Sequence, residues 1–229
     1  PDVVLAAGDL AEKSLYSTAI YHHQQALVFK QEGKFEQAKT TFETAAKAYG
    51  TYLQRFPRSK NAYELQFYYA ECLYNSLQFA AAGKAYADVR DSSQDVKYMN
   101  DAAFSAVLSW QKQLQLDIAA GKQPEAKVLK STERPEGEKV VKTKLTATEQ
   151  ALVDASDMYL KKVAQPDEKG PQVAYKAAEL FYVHNDFDEA RKRFKSIITR
   201  YPKNEVAKYA TNLTIETYLI DKNWAKVEE

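Results

Sequence analysis

Gly33-Lys34-Phe35-Glu36-Gln37-Ala38-Lys39-Thr40-Thr41-Phe42-Glu43-Thr44-Ala45 places Phe35, Ala38, Phe42 and Ala45 at spacings of 3, 4 and 3. That spacing is one face of an α-helix, and the small Ala between two rings lets a neighbouring helix approach. The same arrangement returns at Phe79, Ala82, Tyr86 and Val89 and again at Phe187, Ala190, Phe194 and Ile197. Leu152, Ala155 and Tyr159 repeat most of it, and Trp224 with Val227 begins a cut copy. Upstream of the three fullest copies a small residue precedes a larger apolar one by three positions: Ala26 and Phe29, Ala70 and Leu73, Ala178 and Phe181. Each unit therefore reads as two helices, and the chain as an all-α array of antiparallel helix pairs.

Composition agrees. Only 7 Gly and 7 Pro punctuate 229 residues, too few for an all-β fold with a turn every ~8–12 residues. The 32 basic and 31 acidic side chains nearly cancel to +1, so no strong field draws nucleic acid or an anionic membrane. The one cysteine, Cys72, stands in the apolar run Phe67 to Leu73 and is expected to be a buried small hydrophobe. No apolar run approaches the ~20 residues that span a bilayer. No signal peptide is present, and a chain opening on Pro1-Asp2 and stopping within a helical pattern at Glu229 is expected to be a piece of a larger protein.

Pro202, 12 residues after Ala190, ends one unit where a residue without an N–H can close it. With it the pattern resembles the tetratricopeptide repeat, most fully from Gly170 to Asn204, where the aromatic at the unit's start is replaced by Ala174. The resemblance implies a right-handed solenoid of about four to five irregular repeats, each ideally about 34 residues. Successive centres at 38, 82, 155, 190 and 227 lie 44, 73, 35 and 37 residues apart, so insertions interrupt the array. The expected repeats are 1–58, 59–94, 95–168, 169–204 and a truncated 205–229. One insertion extends the second helix through Tyr49, Tyr52, Leu53 and Phe56 to Pro57, by about two turns. The other, 121–145, is charged, carries Pro124, Pro135 and Gly137, and reads as a mobile surface loop. Thr146-x-x-Glu149 reads as a capping box opening the next helix, and Asp9-x-x-Glu12 as a similar start for the first.

Arg55-Phe56-Pro57-Arg58-Ser59 and Arg200-Tyr201-Pro202-Lys203-Asn204 look like the inter-repeat signature of bacterial cell-envelope tetratricopeptide proteins. Examples are the lipoprotein subunit of the outer-membrane β-barrel assembly machine and the periplasmic coordinator linked to Tol-Pal. The resemblance implies a Gram-negative periplasm or the inner face of the outer membrane, with the cytoplasm as the alternative, and work done by docking other proteins.

Nothing marks catalysis. His22 and His23 are adjacent on a helix, so their rings diverge, and His184 is far along the chain; zinc needs spaced pairs or clustered Cys. Ser109-x-x-Lys112 lacks the companion motifs of the serine-lysine enzymes, and no glycine-rich loop marks a phosphate site. No enzyme activity, cofactor or metal is expected. In the resemblance, the first helices line a groove whose exposed positions follow the small residue by one and four. Those are Glu71 and Tyr74, Val107 and Trp110, Glu179 and Tyr182, Glu216 and Leu219, joined by Phe67 and Tyr175 from the preceding turn. Acidic and aromatic residues in register are expected to take a peptide or helix with basic and apolar anchors. The competing reading is that these rings are core. Lys30 is the one basic residue at such a position, which disfavours a clamp for acidic tails. Two alternatives to a scaffold stand beside it: a substrate-recruiting region of a larger enzyme, and an architectural module self-associating through the exposed face of Trp224 and Val227.

Overall fold

The structure is a computed structural model that describes residues 2–135, 137–164 and 167–227, with side chains described from residue 7 onward. Its helices are α1 (Asp2–Gln31), α2 (Phe35–Arg55), α3 (Ala62–Asn75), α4 (Phe79–Asp91), α5 (Met99–Ala119), α6 (Ala147–Lys162), α7 (Gly170–Val183), α8 (Phe187–Arg200), α9 (Glu205–Ile220) and α10 (Trp224–Val227). A single 3-10 turn lies at Ser131–Glu133, and no strand occurs among the described residues. The chain divides into two compact units, Pro1–Gln113 and Leu114–Glu229, the boundary falling within the residues of α5.

Neighbours in sequence are neighbours in space. In the first unit α1 packs on α2, α2 on α3 and α3 on α4; in the second α6 packs on α7, α7 on α8 and α8 on α9, while α7 also touches α9. The repeating face is the core: Ala38, Phe42, Ala45, Ala82, Tyr86, Val89, Ala190, Phe194 and Ile197 are all buried. So are Leu152, Ala155 and Tyr159 of α6. Cys72 is fully buried, and that burial pushes its thiol well above the ordinary range, leaving no thiolate at neutral pH to react.

The extended second helix exists as expected, 21 residues for α2 against 14 for α8. Its extra turns bury Tyr49 and Tyr52 completely. Tyr49 shares a hydrogen bond of 3.0 Å with His23 Nδ1, and the His23 ring meets Phe42, Tyr49 and Tyr68 edge-on. Burial lowers the His23 pKa, so this histidine is a neutral core residue. Tyr52 and Ser59 both donate to the Glu12 carboxylate. Here the sequence reading fails: α1 already runs from Asp2, so Asp9 lies within the helix and Glu12 ties down α2 instead of capping.

The turn closing each first helix supplies the true register. Gly33, Leu77, Gly121, Asn185 and Lys222 all have positive φ, from 55° to 73°. At each, that residue's N–H donates to the carbonyl three back and the next N–H to the carbonyl five back, as in Asn185 N to Tyr182 O (3.0 Å) and Asp186 N to Phe181 O (2.8 Å). This is the Schellman closure. Glycine adopts it freely at 33 and 121, while Leu77 and Lys222 are held there against their preference by the paired bonds. Two residues later a second helix begins, at Phe35, Phe79, Phe187 and Trp224. After Gly121 it does not, and α6 waits until Ala147. Residues 122–146 are thus inserted into the turn of the third pair.

Candidate functional site

Aligning the first helices on this turn corrects one predicted pair. The aromatic groove position lies three residues before the positive-φ residue: Lys30, Tyr74, Tyr182, Leu219 and, in α5, Ile118. Trp110 and Val107 therefore stand about two turns too early. Val107 is fully buried, and the Trp110 ring lies on the backbone of α4, so close that a Cβ on Gly83 would fall 2.6 Å from its Nε1. Trp110 locks α5 to α4 and is packing, not groove.

Tyr74 and Tyr182 also have structural work. Each rests on the aromatic that opens its partner helix, Tyr74 on Phe79 at 5.1 Å between ring centroids and Tyr182 on Phe187 at 5.7 Å. Both phenylalanines are buried. Where Lys30 and Leu219 replace the tyrosine, Phe35 and Trp224 are left 70% and 61% exposed. Spacing alone could not tell a ring aimed at the groove from one aimed at the next helix. Tyr182 is wholly buried within the second unit's core with Phe194, Ile197 and Leu213, which corrects its expected place on an open surface.

What covers Tyr182 is the inserted segment. Its hydroxyl donates to the Leu129 carbonyl at 2.7 Å, and burial pushes its pKa up to about 12. Two residues on, the Ser131 N–H donates to Glu216 Oε2 of α9 at 2.7 Å. Arg134 then reaches the α7–α8 turn, donating to Asn185 Oδ1 at 2.9 Å with its guanidinium 5.9 Å from the Phe187 ring centroid. A second leg is pinned harder to that turn. The Thr143 N–H donates to the His184 carbonyl (2.9 Å), Asn185 Nδ2 to the Val141 carbonyl (3.0 Å), and Lys142 pairs with Asp186 (2.7 Å). Val140 packs against the core. The expected mobile loop is docked along its described length from 129 to 134 and 140 to 143. Its contacts include main-chain hydrogen bonds at Leu129, Ser131, Val141 and Thr143, invisible to a reading of hydrophobicity.

The capping box at the end of the insertion forms as expected. Thr146 Oγ1 accepts from the Glu149 N–H and Glu149 Oε2 accepts from the Thr146 N–H (2.8 Å). Glu149 Oε2 also lies 3.0 Å from His184 Nε2. Burial opposes this carboxylate, yet the bonds from Thr146 and His184 outweigh it and hold its pKa below the ordinary value. A depressed folded pKa gives stability that is complete above the unfolded value of about 4.3 and is lost as pH falls through the folded one. Glu149→Ala is expected to cost about 1–2 kcal/mol at pH 7, by analogy with lost caps. In thermal melts against pH, the gap between variant and wild type should close below about pH 4. A gap independent of pH would mean the carboxylate is not the stabilising species.

Of the remaining predicted residues, Phe67 and Glu71 lie on α3. Phe67 stacks on Tyr98 at 4.3 Å with ring planes 6° apart, and Tyr98 donates to Glu64 at 2.8 Å while Lys97 sits over its ring. Tyr98, missed in the sequence because it falls outside every repeat position, completes this aromatic surface. Glu71 is half-buried, and burial raises its pKa against the opposing pull of Lys30. In the second unit Tyr175 packs beside Phe194 and Tyr209, and Glu179 pairs with Lys176 at 2.8 Å. Glu179 and Glu216 thus share with Tyr175 the α7–α9 side on which residues 129–134 lie.

Helix pairs stacked through small residues define a helical-repeat fold. Residues 23–96 and residues 172–204 each match a family model of the tetratricopeptide repeat. Each unit therefore contains a stretch that matches this family, on helix pairs like those of a tetratricopeptide solenoid, and the second match lies where the sequence pattern is fullest. Repeats of this family generally mediate protein–protein interaction. No curated protein matches the chain. A crystal structure of a de novo designed helical repeat protein aligns over 97% of this chain and 98% of its own at 16% identity, with a TM-score of 0.29; at that score it carries no argument. No helix among the described residues is long and apolar enough to cross a membrane.

Proposed function

We propose that the protein is a non-enzymatic scaffold that holds segments of other proteins on the faces of its first helices, within a bacterial cell-envelope complex. The observation that carries the reading is the seating of residues 129–134 across α7 and α9 by hydrogen bonds to Tyr182 and Glu216. A face that binds its own chain this way has the chemistry to bind another's. Phe67, Glu71, Tyr175, Glu179 and Glu216 are the contact residues of this reading, and the carboxylates favour partners with basic anchors. The envelope placement rests on the two Arg-aromatic-Pro signatures, Arg55 to Ser59 and Arg200 to Asn204.

The test is capture from envelope and cytosolic fractions with wild type and with Glu71→Gln, Glu179→Gln and Glu216→Gln combined. These changes remove charge at half-buried positions, so the melting temperature should shift by only a few degrees while partners are lost at least ten-fold. Undiminished capture by the variant would refute groove recognition, and capture confined to the cytosolic fraction would refute the envelope.

A further inference from the structure

We propose that residues 129–134 are a built-in ligand, occupying a face whose external partner is a protein segment of the same chemistry. That partner presents a main-chain carbonyl to Tyr182, a main-chain N–H two residues later to Glu216, and an arginine three residues beyond that to Asn185 and Phe187. The inference deepens the scaffold reading and rests on it.

Three observations carry it. First, the recognition is main-chain for two of its three points, and Val128 and Leu129 remain more than a third exposed. Such contacts are independent of the strap's own sequence and open to any chain of matching backbone course. Second, the strap is an imperfect ligand. Arg134 Nε is buried without a hydrogen-bond partner, and an unmet buried donor counts against the bound state. A partner whose arginine sits slightly differently, or whose own carboxylate meets that N–H, gains over it. Third, the two legs are held unequally. The leg from 140 to 143 is fixed to the α7–α8 turn by several bonds and an ion pair, while the leg from 129 to 134 is reached through exposed residues on both sides, 124–130 and 137–139. The first leg can leave while the second stays.

A tethered ligand competes at an effective concentration of about millimolar for a short flexible linker. A partner must therefore outbind it or wait for it to open, which makes the strap a threshold on occupancy. The face is not lined by apolar side chains alone, so loss of the strap returns the Tyr182 hydroxyl and Glu216 to water and leaves the helices paired.

The experiment uses the full chain and a fluorescent peptide copying residues 126–135, Ala-Lys-Val-Leu-Lys-Ser-Thr-Glu-Arg-Pro. It is titrated by anisotropy against wild type and against an open variant with residues 129–134 replaced by Gly and Ser. The open variant is expected to bind, and wild type about 100-fold more weakly because of the tethered competitor. Changing the peptide's arginine to Ala, or its serine to Pro, should weaken binding to the open variant about ten-fold each, as should Glu216→Ala in that variant. Should the open variant prove unstable, Ser131→Pro alone removes the N–H at the first position of a 3-10 turn preceded by an extended Lys130, where proline fits. It should raise peptide binding over wild type. A folded open variant that ignores the peptide, or binds a scrambled peptide equally, overturns the proposal. Peptide binding is read on purified protein and partner capture on cell fractions, so the scaffold reading and the built-in ligand fail separately.

Discussion

Trp110→Ala is expected to destabilise the first unit by about 2–4 kcal/mol, the range for removing a large ring from a mostly buried site. Gly83→Ala tests the same contact from the other side. In a helix interior that change ordinarily gains up to about 1 kcal/mol by reducing backbone freedom. Here the new Cβ would lie 2.6 Å from Trp110 Nε1 and 2.9 Å from Cε2, and an indole wedged between α4 and α5 has little room to retreat. Overpacking of this kind costs about 1–3 kcal/mol, so a net loss of about 1–2 kcal/mol is expected. In the Trp110→Ala background the ring is gone and Gly83→Ala should become stabilising, a coupling of about 2 kcal/mol in urea unfolding followed by circular dichroism. Additive effects would mean that the ring does not rest on Gly83 in solution.

Tyr182→Ala should cost about 3–5 kcal/mol in the second unit, since a fully buried ring supports Phe187 and the core around Phe194. Tyr182→Phe isolates the hydroxyl. It keeps the ring and loses only the bond to the Leu129 carbonyl, a loss of about 0.5–1.5 kcal/mol. That smaller change should show at the strap: tryptic cutting at Lys127 and Lys130 should quicken several-fold while cutting at Lys142 does not, because Lys142 is held by the second leg. Had Tyr182 been an open contact residue, both substitutions would leave stability and cleavage unchanged. The contrast between them separates packing from latching.

The helix pairs were legible because burial of one helical face leaves a period of 3 and 4 that no loop produces, and Phe42, Tyr86 and Phe194 mark it without ambiguity. The long α2 and the Thr146 capping box were legible for the same reason, being local. The groove was legible only in part. Glu71, Glu179 and Glu216 were placed on the first helices by register, and α5 broke that count: its 21 residues carry Ala106, a small residue about two turns ahead of Leu114, the position that the turn at Gly121 sets. The five positive-φ turns would have given the right register, yet only Gly33, Gly121 and, more weakly, Asn185 advertise themselves in sequence. Leu77 and Lys222 are not residues that favour the left-handed region; the paired hydrogen bonds of the turn hold them there.

The sequence by itself determined what depends on neighbours along the chain: helices, their apolar faces and their pairing through alanine. Tertiary structure decided which way each aromatic points, because Tyr74 and Tyr182 are indistinguishable from groove residues until Phe79 and Phe187 are seen beneath them. It also decided the fate of the insertion. Charge and proline content speak for a segment's failure to build a core, not for its ability to hydrogen-bond to one, and residues 129–134 are held at two of three points by backbone groups.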